Sequence, residues 1–301
     1  MASFAACVLD PVLRFQVKRR LARATEPKHL RGAFGGGASM PAPRGVRITP
    51  AIIGVGGEWV EPATGPAPTM ILLYLHGGAY ITCSPRSHRP ITGGFARRGV
   101  RVFAPEYRLA PEYPYPAALE DGLAAWAALL EQGIAPERLA IGGDSAGGGL
   151  ALAVLLKARR DGLPMPACAV LFSPWTDLAA TGASIVRNAR RDPMIVGDRV
   201  AECGAYYLAG ADPRDPFASP LYGDPAGLPP LMIHVGESEV IRDDSLRFDA
   251  KARAAGVASM LRIRPGVPHA WPIFAGFLPE ARRTLDESAA FIRDAAPVPR
   301  K

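Results

Sequence analysis

The features that would mark a disulfide scaffold, a metal site or a membrane span are scarce in this 301-residue chain. It has four cysteines, Cys7, Cys83, Cys168 and Cys203, far apart and without a CxxC pair. Such a set reads as free thiols rather than a disulfide frame or a metal site. No apolar run approaches the roughly 20 residues needed to cross a bilayer. The longest candidate, Ala146 to Leu156, is broken by glycines and followed by Lys157, Arg159 and Arg160. The N-terminus lacks an early positive charge, and its short apolar run ends at Asp10 and Pro11, so it does not read as a secretory signal. A cytoplasmic location and no stable membrane insertion are the resulting expectations. Lysine is also scarce, so the net charge of +7 is carried almost entirely by arginine. That charge is spread along the chain, apart from the cluster Lys18, Arg19, Arg20, Arg23, Lys28 and Arg31. With no recognised nucleic-acid motif beside it, the charge gives no reason to expect a nucleic-acid partner.

What is present is ordinary for a globular enzyme: 49% hydrophobic and 21% charged residues, enough to bury a sizeable core. Residues 1–45 form a distinct region. Asp10 and Pro11 suit the start of a helix, with Leu13, Val17 and Leu21 on one face, and glycines and prolines between 35 and 43 form a linker. From about residue 46, strands alternate with helices. Strands are expected at Met70–Leu75, Val100–Ala104, Arg138–Ile141, Ala167–Phe172, Leu231–Val235 and Ser259–Ile263. Helices are expected at Pro116–Leu130, Ala146–Arg160, Asp244–Ala255 and Glu280–Ala295. Alternation of this kind predicts an α/β fold with a mostly parallel sheet and helices on both faces. Residues 178–222 carry no clear strand and a helix near Arg199–Leu208, so they read as an insertion between two sheet strands.

The sharpest motif is Gly143-Asp144-Ser145-Ala146-Gly147, a GxSxG sequence between an apolar strand and a helix. A serine on a tight strand-to-helix turn is held in strained backbone geometry above the sheet, and its neighbours must be small because the chains approach closely. The N–H groups at the start of the next helix can face a developing oxyanion. His76-Gly77-Gly78-Ala79-Tyr80 follows the strand Met70–Leu75 and resembles the HGGG type of oxyanion loop. The oxyanion-hole candidates are therefore Gly77, Gly78, Ala79 and Ala146. Gly77 is expected to let the backbone turn, and the other three to supply N–H groups. Ala79 stands where the usual pattern has a third glycine. An alanine is accommodated there if its φ is negative. His76 reads as a brace for this loop.

These blocks, with Tyr107-Arg108-Leu109-Ala110-Pro111-Glu112, Tyr113-Pro114-Tyr115-Pro116-Ala117-Ala118 and Ser173-Pro174-Trp175-Thr176-Asp177-Leu178, resemble the bacterial hormone-sensitive-lipase-like esterases (family IV) of the α/β-hydrolase superfamily. The resemblance runs from about residue 70 to residue 275. It implies an eight-stranded α/β-hydrolase core formed by residues 46–177 and 223–301, under a helical cap made of residues 1–45 and 178–222. It implies hydrolysis of short- to medium-chain acyl esters through an acyl-enzyme, with no metal or organic cofactor, and a tendency to form homodimers.

The chain order in α/β-hydrolases is nucleophile, acid, histidine. His29, His76 and His88 precede Ser145, and His234 lies inside a strand, which leaves His269 in the loop Pro265 to Trp271 as the base. The acid candidates are Glu237, Glu239, Asp243 and Asp244. The family's Asp-Pro-Leu-Arg-Asp block is matched by Glu239-Val240-Ile241-Arg242-Asp243, so the resemblance puts Glu239 in the acid role. Asp243 is the main rival, although Asp243 or Asp244 also suits the N-cap of the next helix. Substrate-pocket candidates are Tyr80, Trp175, Tyr206 and Trp271, with Phe34 and Tyr207 from the cap. The same residues leave open a lactone hydrolase, an amidase or deacetylase, and a non-catalytic receptor of the same fold.

Overall fold

A computed structural model describes residues 3–24, 26–33, 40 and 43–297. Eight strands form one sheet in the order β1-β2-β4-β3-β5-β6-β7-β8. They are β1 (Val46–Ile53), β2 (Val55–Pro62), β3 (Met70–Leu75), β4 (Val100–Pro105), β5 (Leu139–Asp144), β6 (Cys168–Phe172), β7 (Leu231–Gly236) and β8 (Ser259–Arg264). β1 and β2 run antiparallel, β2 pairs antiparallel with β4, and β3 to β8 are mutually parallel. The antiparallel hairpin at 46–62 escapes the strand-helix alternation read from the sequence. Its strands are partly exposed, and Pro50 together with Gly54, Gly56 and Gly57 interrupts the apolar pattern.

Ten helices complete the described chain: α1 (Phe4–Leu13), α2 (Arg19–Arg23), α3 (Pro27–Ala33), α4 (Arg89–Ala96), α5 (Ala117–Glu131), α6 (Ala146–Arg160), α7 (Ser184–Arg187), α8 (Val200–Leu208), α9 (Arg242–Ala254) and α10 (Pro279–Asp294). Strand alternation splits the core into two layers. Ile71, Leu73 and Leu75 face a layer with Trp126 and Leu129 of α5, Leu152 and Leu155 of α6 and Phe248 of α9. Met70, Leu72 and Tyr74 face the other layer, with Phe95 of α4 and Leu285 and Ile292 of α10. Among the described residues no helix is long and apolar enough to cross a membrane.

The start of the first helix departs from expectation. Ser3, not Asp10, is the N-cap: its Oγ accepts from the Ala6 amide, and Pro11 lies inside α1. A π-helical turn at Arg14–Lys18 carries α1 into α2. Arg14 donates to the carbonyls of Arg190 and Arg191, and Lys18 to those of Ala189 and Asp192, so this helix is docked on the segment between β6 and β7. α3 is tied to the loop after β3 by Arg31, which donates to the Ile81 and Ala110 carbonyls.

The turn between β5 and α6 leaves no space beside it. A Cβ on Gly147 would lie 2.1 Å from the Leu75 carbonyl oxygen, and one on Gly143 would lie 2.4 Å from the same atom. These contacts are with backbone, which cannot rotate away. Gly147→Ala is therefore expected to cost about 3 kcal/mol or more, at or beyond the top of the overpacking range. The readout is the urea midpoint, and a midpoint equal to the wild type would mean that the turn can back away from β3.

Candidate active site

Ser145 is the residue between β5 and α6, with φ 53° and ψ −124°. That conformation is sparsely populated for a residue with a side chain and stores on the order of 1–3 kcal/mol. It is held on both sides. The Ser145 amide donates to the Phe172 carbonyl (2.9 Å), and its carbonyl accepts from the amides of Gly149 (3.1 Å) and Trp175 (2.9 Å).

Glu239 lies in the turn after β7 and is fully buried. Its Oε2 is 2.7 Å from His269 Nδ1. Its Oε1 accepts from Ser173 Oγ (2.7 Å) and from the Gly236 amide. Ser173 Oγ in turn accepts from the Ala270 amide at 3.2 Å, which fixes the histidine loop against the acid turn. Burial lowers the tendency of His269 to take a proton, but the charge of Glu239 and its hydrogen bond outweigh burial, so the imidazole titrates above its ordinary 6.5.

Asp243 and Asp244 lie elsewhere. Asp243 Oδ2 accepts from the Ser184 amide (2.9 Å), and its carboxylate pairs with Arg187 (3.0 Å). Asp244 Oδ2 accepts from the amides of Thr176 (2.8 Å) and Asp177 (2.9 Å). Neither caps α9, whose N-cap position is Ile241. Both are drawn instead to backbone N–H groups of the chain that follows β6. Glu237 follows β7 without joining this group, and its amide donates to the Arg264 carbonyl at 2.8 Å.

Behind Ser145 is a second buried carboxylate that sequence reasoning passed over. Asp144 accepts from Tyr74 Oη (2.6 Å) and the Gly77 amide (3.1 Å) and lies 3.2 Å from His88 Nε2. Burial works to raise its pKa, but the charge of His88 and the hydrogen bonds from His88 and Tyr74 outweigh that and hold it below the ordinary 3.8. The available signal was the acidic residue at the x of GxSxG, next to a buried β3. His76 bonds Gly77 through Nδ1 (2.8 Å) and stacks on Tyr107 at 4.2 Å. Burial and the neighbouring His88 push His76 down to about 3, so it stays neutral. His234 is also a neutral core histidine, pushed down to about 3 by burial and by Arg264 and Arg262.

Gly77 does not face an oxyanion, because its amide is spent on Asp144. Nor does it supply a left-handed turn: a Cβ there would lie 2.3 Å from Asp144 Oδ2, so the missing side chain makes room for the carboxylate. The amides of Gly78, Ala79 and Ala146 have no acceptor among the described residues. Ala79 has φ +55°, not the negative value expected, and Tyr80 follows at +62°. Each left-handed residue with a side chain costs about 1–2 kcal/mol. The carbonyl of Gly78, accepting from Ile81 and Thr82 at 3.0 Å, holds the turn in place.

Ser145 and His269 line one cavity of about 110 Å³. Gly78, Ala79 and Trp175 line it too, together with Leu21, Leu30, Met194, Ile195, Val196, Arg199, Val200 and Cys203. Of the aromatic candidates only Trp175 lines it. Tyr80 is buried against Tyr207, ring on ring at 3.8 Å. Trp271 is fully buried and donates to Thr284 Oγ1 of α10 at 3.0 Å. Tyr206 turns toward Glu202 on its own helix. Tyr80, Tyr206, Tyr207 and Trp271 miss the cavity because flat rings found partners in the core or on a helix surface, whereas the cavity wall is mostly aliphatic. Phe34 lies outside the described residues.

The chain matches the α/β-hydrolase fold family over residues 72–273. An acetyl-hydrolase of Streptomyces hygroscopicus is 45% identical over 239 residues, 79% of each chain. An esterase of Acinetobacter venetianus is 35% identical over 82% of each. Among solved structures, an esterase from the bacterial hormone-sensitive lipase family superimposes with a TM-score of 0.89 at 37% identity, covering 99% of this chain and 100% of that one. This chain belongs to that family. The esterase EstE5, in a crystal soaked with ethyl alcohol, is similar too: TM-score 0.92, 40% identity, 98% of this chain and 99% of that chain.

The hydrogen bond to Glu239 has a measurable consequence for His269. The ring protons of His269 followed by NMR are expected to titrate at a pH above 6.5. In Glu239→Gln the midpoint should fall below that of the wild type, because the charge that holds the proton is gone while burial remains. An unchanged midpoint would mean that Glu239 is not what raises it.

Proposed function

We propose that this protein is a carboxylesterase acting on short- to medium-chain acyl esters, with Ser145 as nucleophile, His269 as general base and Glu239 as the acid that orients it. The observation that carries the reading is the 2.7 Å contact between Glu239 and His269 Nδ1, beneath a cavity that His269 and Ser145 share. The contact leaves Nε2 of His269 as the atom able to take the Ser145 proton. As the hydroxyl oxygen attacks the ester carbonyl, Glu239 stabilises the imidazolium that forms. The amides of Gly78, Ala79 and Ala146, free of protein acceptors, receive the oxyanion. The imidazolium then protonates the departing alcohol. Water attacks the acyl-enzyme along the same path and restores the serine.

The apolar lining and the small cavity support short and medium acyl chains. Similarity to proteins named acetyl-hydrolase and esterase supports linear esters ahead of lactones. In the same reading, residues 1–45 and 178–222 form a cap over a core of residues 46–177 and 223–301. Supporting this, Leu21 and Leu30 from the first segment and Met194 to Cys203 from the second line the cavity. A cytoplasmic location is supported by four free thiols. A homodimer is supported by the open sheet edge at β8, where Ile263 is exposed. The aliphatic cavity wall supports small esters rather than nucleic acid as ligands.

Hydrolysis of p-nitrophenyl butyrate is expected to fall about 10⁴-fold or more in Ser145→Ala and about 10³- to 10⁴-fold in Glu239→Gln. Asp243→Asn is expected to keep activity within about threefold while lowering thermal stability, because it breaks only the Arg187 and Ser184 contacts. The reverse pattern, with Asp243→Asn inactive and Glu239→Gln active, would move the acid role to Asp243. A series of p-nitrophenyl esters is expected to give the highest kcat/KM at chains of about two to eight carbons, and a maximum at palmitate would overturn the acyl-length reading.

A further inference from the structure

The first run of helix in the chain is apolar on two sides, and only one of them is covered. α1, the π-helical turn and α2 join without a break from Phe4 to Arg23, because Arg14 and Arg19 at the junctions keep right-handed helical dihedrals. Ala6, Leu9 and Leu13 are buried against the core. Phe4, Val8, Val12 and Phe15 are not: they are 86%, 49%, 41% and 67% exposed. Their spacing of i, i+4, i+8 and i+11 puts them on one helix face. A helix that is apolar all round is normally buried all round, so this face is left without the cover its composition calls for.

The charge around the stripe has one sign. Arg19, whose guanidinium lies over the Phe15 ring at 5.5 Å, continues the helix, followed by Arg20 and Arg23. Arg190 and Arg191 lie beside the π-helical turn, because their carbonyls accept from Arg14. These five arginines are exposed, and none pairs with a carboxylate among the described residues. Asp10 is the only acidic residue among the first 25, and Arg14 takes it. A second copy of the chain would bring the same positive charges to the contact, so charge complementarity selects an anionic partner. The stripe itself offers no hydrogen-bonding side chain. An apolar face that ends in unpaired arginines matches the boundary between acyl chains and anionic headgroups.

We propose that this helix face docks reversibly on an anionic lipid surface, with Phe4, Val8, Val12 and Phe15 at the edge of the acyl layer and the arginines on the lipid phosphates. Docking is peripheral and needs no membrane-spanning helix. Leu21, on the same run of helix, lines the cavity that Ser145 and His269 share. Docking therefore brings a wall of that cavity to the layer in which apolar molecules collect.

Co-sedimentation of the full chain with lipid vesicles tests the proposal. Vesicles of phosphatidylcholine with about 30% phosphatidylglycerol are expected to bind the protein at least tenfold more tightly than phosphatidylcholine alone. Raising the salt from about 0.05 M to about 0.5 M should weaken that binding about tenfold or more. Phe4→Ser combined with Phe15→Ser should weaken it at least tenfold, and Arg19→Gln, Arg20→Gln and Arg23→Gln together about a hundredfold. All five side chains are exposed, so both variants should keep the wild-type urea midpoint.

Loss of binding in the arginine variant alone, with the phenylalanine variant equal to the wild type, would reduce the effect to general basicity and overturn the proposal. Equal affinity for the two kinds of vesicle, or none for either, would overturn it too. So would a dimer, seen by analytical ultracentrifugation without lipid, that the phenylalanine variant abolishes, since the face would then belong to a second copy. Vesicle binding is read without any turnover, so it stands or falls apart from the hydrolase reading of Ser145.

Discussion

Everything at this site depends on how closely the backbone after β5 approaches the end of β3. Gly143 and Gly147 let the strand-to-helix turn press against the carbonyls of Leu75 and His76. That contact sets Ser145 beside the loop of Gly78 and Ala79, and all three residues line one cavity. A side chain at either glycine would push the turn and the loop apart. Donors that act on a developing oxyanion must be in position before the charge appears, so the site begins with this packing and not with the serine's chemistry. The strained φ of Ser145 and the left-handed φ of Ala79 are consequences of it. Both are held by backbone hydrogen bonds on either side rather than by local preference.

Two buried carboxylates flank the serine, and their different partners give them different work. Glu239 gives one oxygen to Ser173 and Gly236 and the other to His269, so its charge is directed at that imidazole. Asp144 gives its oxygens to Tyr74, Gly77 and His88, so its charge stays within the scaffold at the loop after β3. A buried carboxylate with a full set of donors can remain ionised, which is why Asp144 titrates below its ordinary value despite burial. His76, stacked on Tyr107 and kept neutral, packs beside His88 without adding charge.

The segments outside the sheet do more than cover the cavity. Asn188 donates to the Glu239 carbonyl and Asp192 accepts from the Val240 amide, so the stretch between β6 and β7 grips the turn that carries the acid. The same stretch receives Arg14 and Lys18 from the first helix. Displacement of that helix would therefore be felt at the acid turn as well as at the cavity wall.

Much of this was legible in the sequence. Continuous apolar runs such as Met70–Leu75 can only be central strands or buried helix. Their spacing between helices, with GxSxG at a strand-to-helix junction, determined the fold class and the identity of Ser145. His269 followed from chain order. Other features were decided by tertiary structure alone. Asp243 and Asp244 matched a helix cap by local pattern, but unpaired N–H groups of the chain after β6, distant in sequence, captured them instead. Tyr80 and Trp271 had the look of pocket walls, but burial drew them into the core. Asp144, His88 and Tyr74 are far apart in the chain, and only the folded sheet makes them neighbours. The sequence by itself determined which residues can react and in what order they come, because those depend on side-chain chemistry and local periodicity. Which amides are left without an acceptor and which carboxylate reaches the histidine were decided by the tertiary structure, because a buried polar group takes whichever partner the fold brings within about 3 Å.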